Sequence, residues 1–337
     1  MDRRIRILKR ILIGALGSMT VFFIYVNVAG QSGRWQPPPH KNVFSPSSSP
    51  SAEAQWKDPG PYHVAYPRNY KFIMDDTPTC KSTTPFLILM VPVAPHDRAS
   101  RDAIRKTWGS DKEIQGKLVE TIFIVGLPGG ADAELQQVRL RKENQEHHDL
   151  IQSNFQDSYR NLTIKTMVML EWLVKHCTQS SFFIKIDSDM FLNVPNLVKL
   201  LLDPNTAQEN YMTGLVWWHS PILRNPFNKF YMPRYVIAEP EYPPYPLGMA
   251  YVVSLDLPKK ILSVSPQIKP IYIEDAYLGM CLKQLGISPT DPPDQNMFIV
   301  TPVHPLSSCS LSRVIAVMTT SIPQMTEYWW RSKHAQC

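Results

Sequence analysis

The stretch FFIKIDSDMFLN, Phe182 to Asn193, reads as a buried strand that stops at two carboxylates and then turns apolar again. Lys185 alone interrupts its apolar first half. Carboxylates are costly to bury without partners, so Asp187 and Asp189, two positions apart around Ser188, call for something that compensates them. In open α/β sheets, ligands sit beyond the carboxyl ends of the strands. The two aspartates stand at that place on the strand 181–186. They are hard oxygen donors, suited to Mg2+ or Mn2+ held by one or two carboxylates together with substrate phosphates. Aspartate is also common in turns and at helix starts, so the pair reads alternatively as a solvated turn or as a cap on the helix beginning near Val194.

Strand and helix patterns alternate around this stretch. Residues 86–93 (FLILMVPV) and 118–126 predict buried strands, and 149–155 a weaker one. Residues 98–108, 131–148 and 161–177 predict helices. In the last of these, Met167, Leu170, Val174 and Cys177 line one stripe, and Glu171 and Lys175 form an i,i+4 pair. Strands alternating with helices predict a mostly parallel α/β sheet. No internal repeat is visible. From residue 85 onward the pattern is that of one domain of about 250 residues, at the upper end for a single core, with room for a loose second lobe.

The net charge of the 337 residues is +6, but it is concentrated at one end. Residues 1–10 contribute a net +4, and the remainder is unexceptional. No basic stripe with interleaved aromatics exists, which excludes nucleic acid as a partner. Ile11 to Gly30 carries no charge, and about 20 such residues cross a hydrocarbon core of about 30 Å as a helix. A cleavable signal peptide is the rival reading, with Val28-Ala29-Gly30 as its cleavage site, but signal cores are shorter. The basic residues before the span predict a type II arrangement: cytosolic tail 1–10, membrane anchor 11–30, lumenal remainder. Residues 31–84, rich in Pro and Ser and without helical or strand period, predict an extended stem. The catalytic domain is then expected over 85–337.

The five cysteines, none in a CxxC, argue against a zinc site and for an oxidising compartment with two disulfides and one free thiol. Their pairing is not deducible. The sequon Asn161-Leu162-Thr163 reads either as a glycosylation site or as a helix cap.

Six blocks occur in one order: RDAIRKTWG (101–109), FIVG (123–126), DSYRNLTIKT (157–166), FFIKIDSDMFLN (182–193), YPPYPLGMAYVVS (242–254) and EDAYLGMCLKQLGI (274–287). Together they resemble the β-1,3-glycosyltransferase family (glycosyltransferase family 31), the Golgi β-1,3-galactosyl- and β-1,3-N-acetylglucosaminyltransferases. The match covers about residues 85 to 330. The resemblance implies a GT-A-like fold, a nucleotide-binding α/β half fused to an acceptor half. It implies a single-pass Golgi membrane enzyme that uses Mn2+ or Mg2+ and moves a hexose from a UDP-sugar, with inversion, to a sugar 3-hydroxyl on a glycoprotein or glycolipid. It also leaves room for a homodimer.

Roles follow by resemblance. Asp189 is the direct metal ligand, and Asp187 contacts the metal, its water shell or the donor ribose. Asp275 is the base, and as the N-cap of a helix 276–285 it would have a depressed pKa. Glu274 supports it or is simply exposed. Arg101 and Arg105, one turn apart, help build the nucleotide pocket or pair with Asp102 or another local acid. Trp108 belongs to the core. Lys165 and Lys185 contact the diphosphate, and Lys185 is the better placed, since a lone lysine in a buried strand needs a partner. Tyr245 and Gly248 line the sugar pocket, unless YPPYP is only a Pro-rich turn. His219, Trp217 and Trp218 are acceptor contacts, with at least one Trp expected in the core.

Two positions depart from the pattern. The family usually carries Cys-Ser-Gly-x-Gly where this chain has Pro246-Leu247-Gly248-Met249-Ala250. It usually offers a histidine where Met318 stands, and a thioether is a poor ligand for a hard cation. His304 is nearby in sequence. Ser188 between the aspartates favours UDP-galactose as donor. The alternatives are an N-acetylglucosaminyltransferase of the same family, or a non-catalytic sugar- or nucleotide-binding relative.

Overall fold

The computed structural model describes residues 62–337, apart from 65, 67, 303 and 304. The expected tail, the anchor at 11–30, most of the stem and His304 lie outside the described residues. Among the described residues no helix is long and apolar enough to cross a membrane.

The first half of the chain forms β1 (Phe72–Met74), β2 (Leu87–Pro92), α1 (Arg98–Lys106), β3 (Glu113–Ile114), β4 (Lys117–Leu127), α2 (Ala133–His147), β5 (Leu150–Gln156) and α3 (Leu162–His176). Around the aspartates come β6 (Phe182–Ile186), β7 (Met190–Leu192) and α4 (Val194–Leu201). Next are β8 (Met212–Trp217), β9 (Ser220–Pro221), β10 (Glu241–Tyr242), β11 (Tyr245–Ser254), α5 (Leu257–Val264) and α6 (Glu274–Leu285). The C-terminal part adds β12 (Phe298–Ile299), α7 (Ser308–Leu311), β13 (Ala316–Met318) and α8 (Ile322–Lys333).

The main sheet runs β1-β5-β4-β2-β6-β11-β8, with β3 paired to β4. Its centre, β5-β4-β2-β6, is parallel; β1 and β11 join it antiparallel, and β8, antiparallel to β11, runs the same way as the centre. Such a centre must be covered on both faces, and the alternation in β2 shows how. Leu87, Leu89 and Val91 enter one core with Trp108 and Phe182, while Ile88 and Met90 enter the other with Trp172 and Tyr251. The Trp108 indole N–H also donates to the Met190 carbonyl at 3.1 Å.

Asp187-Ser188-Asp189 is the corner at which the chain leaves this sheet. The Asp187 N–H still bonds to Met249 O of β11 at 2.9 Å, and Met190 N–H closes the turn on Asp187 O at 3.2 Å. The chain then enters a second sheet, β12-β13-β7, where the Thr319 N–H and hydroxyl both donate to Asp189 O. The apolar residues after the aspartates therefore belong to a new strand. The cap of α4 is Asn193, whose side chain accepts from Asn196 N–H, so the aspartates are not helix caps.

Several boundaries differ from expectation. The folded unit reaches back through residues 62–84, which the composition assigned to the stem. β1 pairs with β5, the Trp172 indole N–H donates to Asp75 at 2.6 Å, and a disulfide joins Cys80 to Cys177. The second disulfide is Cys309–Cys337, leaving Cys281 free and buried. Asn161 flanks α3 without a side-chain cap bond. The helix α6 begins one residue before Asp275 and is preceded by Ile273, so Asp275 is a first-turn residue and not the cap. Gly286, at φ 68°, closes the helix in the left-handed conformation that glycine tolerates.

Candidate active site

A cavity of about 860 Å³ opens beyond the carboxyl ends of β2 and β6. Its wall includes Val93, Lys165, Asp187, Asp189, Met249 and Met318. Lys165 is buried at 2% exposure, and its ammonium donates to Asp157 Oδ2 at 2.7 Å and to Val93 O at 2.8 Å. Burial lowers its pKa, against the pull of Asp157. Asp157 is itself fixed by the Gly126 N–H.

Asp189 is exposed in the cavity wall, yet the protein around it displaces water, and that desolvation, then the charge of Asp187, raise its carboxyl above the usual aspartate range. Asp187 Oδ1 accepts from the Lys185 ammonium at 2.7 Å. No group of three or more His, Cys, Asp or Glu among the described residues could hold a metal. The pair still fits a hard divalent cation that takes its other ligands from diphosphate and water. A positive charge there would relieve both the desolvation and the repulsion that disfavour ionised Asp189. Met318 lines the same cavity and supplies only a soft sulfur.

Behind this wall lies a buried charged cluster. Lys185, 6% exposed, also donates to the Gly248 carbonyl. The N–H of the same glycine donates to Asp275 Oδ2 at 2.8 Å, and Asp275 Oδ1 accepts from Ala276 N–H at 2.9 Å. Glu274 is 7% exposed, and its Oε1 accepts from the hydroxyls of Tyr251 at 2.6 Å and Thr166 at 3.0 Å. Burial would depress the Lys185 pKa, but Asp187, Glu274 and Asp275 together raise it. Burial also raises both carboxyls, Glu274 to about 7, although Lys185 opposes the shift in each. For Asp275, desolvation outweighs the depression expected from a helix start. A Cβ on Gly248 would lie 3.0 Å from Glu274 Oε2 and 3.2 Å from Asp275 Oδ2. The glycine is there because two carboxyls pack on its backbone.

The structure brings Lys165, Asp187 and Asp189 to the cavity. It sets Lys185, Gly248, Glu274 and Asp275 in one cluster joined to that wall through Lys185. It does not bring Arg101 or Arg105 there. Arg101, 1% exposed, grips Glu143 with two bonds of 2.7 Å and donates to Ala94 O and Pro95 O. Arg105 is bidentate to Asp149 and also reaches Asp102 and Glu143. The two arginines are consumed in an ion-pair network. Arg101 acts on the cavity only by fixing Ala94 and Pro95 in its wall.

Tyr245 is buried, bonds through its hydroxyl to Ser220 at 2.8 Å and is absent from the cavity wall. Trp217 and Trp218 are exposed, so neither is core. Trp218 donates to Asp291, and exposed His219 faces Glu241 at 3.3 Å. Glu274 is buried, which overturns its reading as a solvent-exposed acid. Sequence reasoning missed Thr166, Tyr251, Asp157 and Glu143. Thr166, Tyr251 and Asp157 stand inside the six blocks and Glu143 outside them, but no spacing rule pairs them with partners up to 108 residues away.

An open cleft beyond the carboxyl ends of a parallel sheet, with paired aspartates, a lysine and a fixed carboxyl behind it, suits transfer of a group from a phosphate-bearing donor. The comparisons agree. The family model described as Galactosyltransferase matches residues 99–293. The human protein named beta-1,3-galactosyltransferase 2 is 34% identical over 301 residues, 88% of this chain and 69% of that protein. The mouse protein named beta-1,3-galactosyltransferase 1 is 34% identical over 80% of this chain and 82% of its own length. Among solved structures, a glycosyltransferase involved in the glycosylation of the major capsid of PBCV-1 aligns over 73% of this chain and 99% of its own, with a TM-score of 0.40 and 10% identity, too distant to carry an argument. The chain belongs to the galactosyltransferase family and is a glycosyltransferase.

Proposed function

We propose that the protein transfers galactose from UDP-galactose to the 3-hydroxyl of an acceptor GlcNAc or GalNAc, forming a β-1,3 linkage with inversion on a GT-A-like fold. The observation that carries this reading is the Lys185–Gly248 link. Through it Asp187, in the cavity wall, is joined by way of Lys185 and Gly248 to Asp275, which supports reading the one as a donor-side group and the other as the base.

Asp187 and Asp189 would hold a divalent cation, Mn2+ or Mg2+, which when bound supplies positive charge to the departing diphosphate. Lys165 adds a fixed cation to the cavity wall. Asp275 takes the proton of the acceptor 3-hydroxyl as that oxygen bonds to the sugar C1. The C1–O bond to the diphosphate breaks, and its electron pair leaves with UDP. The Gly248 and Ala276 N–H groups orient the carboxylate, and burial strengthens it as a base. The enzyme works in the Golgi lumen, tethered by residues 11–30.

The test is transfer from UDP-Gal, UDP-GlcNAc and UDP-GalNAc to a panel of GlcNAc- and GalNAc-terminated acceptors. UDP-Gal is expected to be preferred, and Asp275→Asn to lower the rate by about 10²–10⁴. Unchanged turnover in that variant removes the base assignment. Turnover only with UDP-GlcNAc replaces the donor, and binding without turnover makes the chain a non-catalytic relative.

A further inference from the structure

Of the twelve exposed large apolar side chains among the described residues, six fall between Trp217 and Tyr235: Trp217, Trp218, Leu223, Phe227, Phe230 and Tyr235. Phe227 is 98% exposed and Tyr235 81%. Single exposed apolar residues need no explanation, but such a concentration does. Residues 217–238 contain no Asp or Glu, and they carry Arg224, Lys229 and Arg234.

This loop is an ordered structure. Met232 is fully buried and its N–H bonds to Leu223 O, while Ile222 N–H bonds to Pro240 O. Asn225 and Asn228 side chains accept from the Phe227 and Phe230 N–H groups. The Tyr272 hydroxyl donates to the carbonyls of Lys229 and Tyr231. A loop that buries Met232 completely still leaves two phenylalanines and a tyrosine facing outward.

Two further facts place the patch. The described residues begin at Tyr62, whose ring packs on Tyr231 and Tyr235 at centroid distances of 5.4 and 6.3 Å. The N-terminal end of the described chain therefore lies against the loop. Lys229 also lines the large cavity, so the loop borders the site.

We propose that the loop 217–235 rests on the lipid bilayer to which the chain is tethered, with Phe227, Phe230 and Tyr235 among the headgroups and Arg234 on their phosphates, so that lipid-borne acceptors are presented to the cavity. The proposal rests on the anchored, transferase reading above. Aromatic rings favour the membrane–water interface, and basic residues beside them are drawn to headgroup phosphates. The loop itself carries no acid, and the carboxylates that touch it, Asp291 and Glu241, sit against Trp218 and His219, away from Phe227 and Phe230 in sequence. A second copy is a poorer occupant, because a two-fold contact would set Lys229 and Arg234 against their own like charges.

The test uses the full chain reconstituted in phosphatidylcholine vesicles with a minor anionic lipid. An environment-sensitive fluorophore is attached to Phe227→Cys, the native free thiol, Cys281, being buried. Blue-shifted emission, quenched by lipid chains carrying a quencher, is expected, and water-like emission overturns the proposal. A blue shift already present in detergent without lipid, and dependent on protein concentration, also overturns it by showing a protein partner. In the second arm, Phe227→Ser/Phe230→Ser/Tyr235→Ser is assayed on one acceptor sugar, free and lipid-borne. The rate on the lipid-borne form is expected to fall about tenfold relative to the free form, and an unchanged ratio sinks the idea. Wild-type failure on both forms would instead count against the transferase reading, while the fluorescence arm still decides the loop.

Discussion

Lys185 is where the two acidic ends of the site meet. Its ammonium touches Asp187 and the Gly248 carbonyl, and the charges of Glu274 and Asp275 support its protonated form. It is not in the cavity wall, so its expected effect is on positioning and not on donor affinity. Lys185→Met should lower kcat by about tenfold or more with little change in donor KM, read from steady-state kinetics. A raised donor KM at unchanged kcat would return Lys185 to the role of diphosphate ligand. Glu274 offers a pH test. Burial lifts its pKa to about 7 from the ordinary 4.5, so the folded state retains a proton that the unfolded chain releases. Its contribution is fully present below about pH 4.5 and is lost as pH rises to about 7. Glu274→Gln keeps an oxygen for Tyr251 and Thr166 but cannot titrate. Melting temperature measured from pH 4.5 to 7.5 should therefore fall less in the variant than in the wild type.

At the scale of elements, the missing side chain at Gly248 of β11 decides how close α6 can come to the sheet. The start of α6 lies so near that a Cβ at 248 would press on both carboxyls. Gly248→Ala must displace them, so it should destabilise by about 1–3 kcal/mol and reduce turnover more than it raises KM. Denaturant titration and kinetics on one preparation separate the two. The sequence announced the elements well because β2, β4 and β6 are largely apolar and buried on both faces, with Lys185 the one interruption in β6. It announced the corner because two aspartates interrupt such a run. It named Asp102, which Arg105 does reach, but hid Glu143 and Asp149, because those ion pairs form across 38 to 44 residues. It misjudged Asp275 because a helix start is visible in sequence, whereas the desolvation that outweighs it comes from packing. Glu274 was ambiguous for the same reason: nothing local says that Tyr251 and Thr166 close over it.

For the whole molecule, the consequential difference lies at the N-terminal boundary. Composition assigned residues up to 84 to a stem because they are rich in Pro and lack periodicity. Those features describe how little core the segment makes alone, not what it can add to a core built elsewhere. β1 extends the sheet beside β5, the Asp75 carboxylate accepts from Trp172 and faces His176 at 3.1 Å, and Cys80–Cys177 closes a separation of 97 residues. Closing a loop of that length contributes about 2–5 kcal/mol by restricting the unfolded chain, a large share of a typical domain's about 5–15 kcal/mol. A chain truncated to begin at Phe86 loses all three contributions and leaves Cys177 unpaired. One beginning at Trp56 keeps them. The longer fragment should be secreted, unfold cooperatively and retain transferase activity, and the shorter should be retained or aggregate. Cys80→Ala/Cys177→Ala in the longer fragment isolates the disulfide and should lower its denaturation free energy by about 2–5 kcal/mol. If the fragment from Phe86 were as stable as the one from Trp56, residues 62–84 would be stem after all.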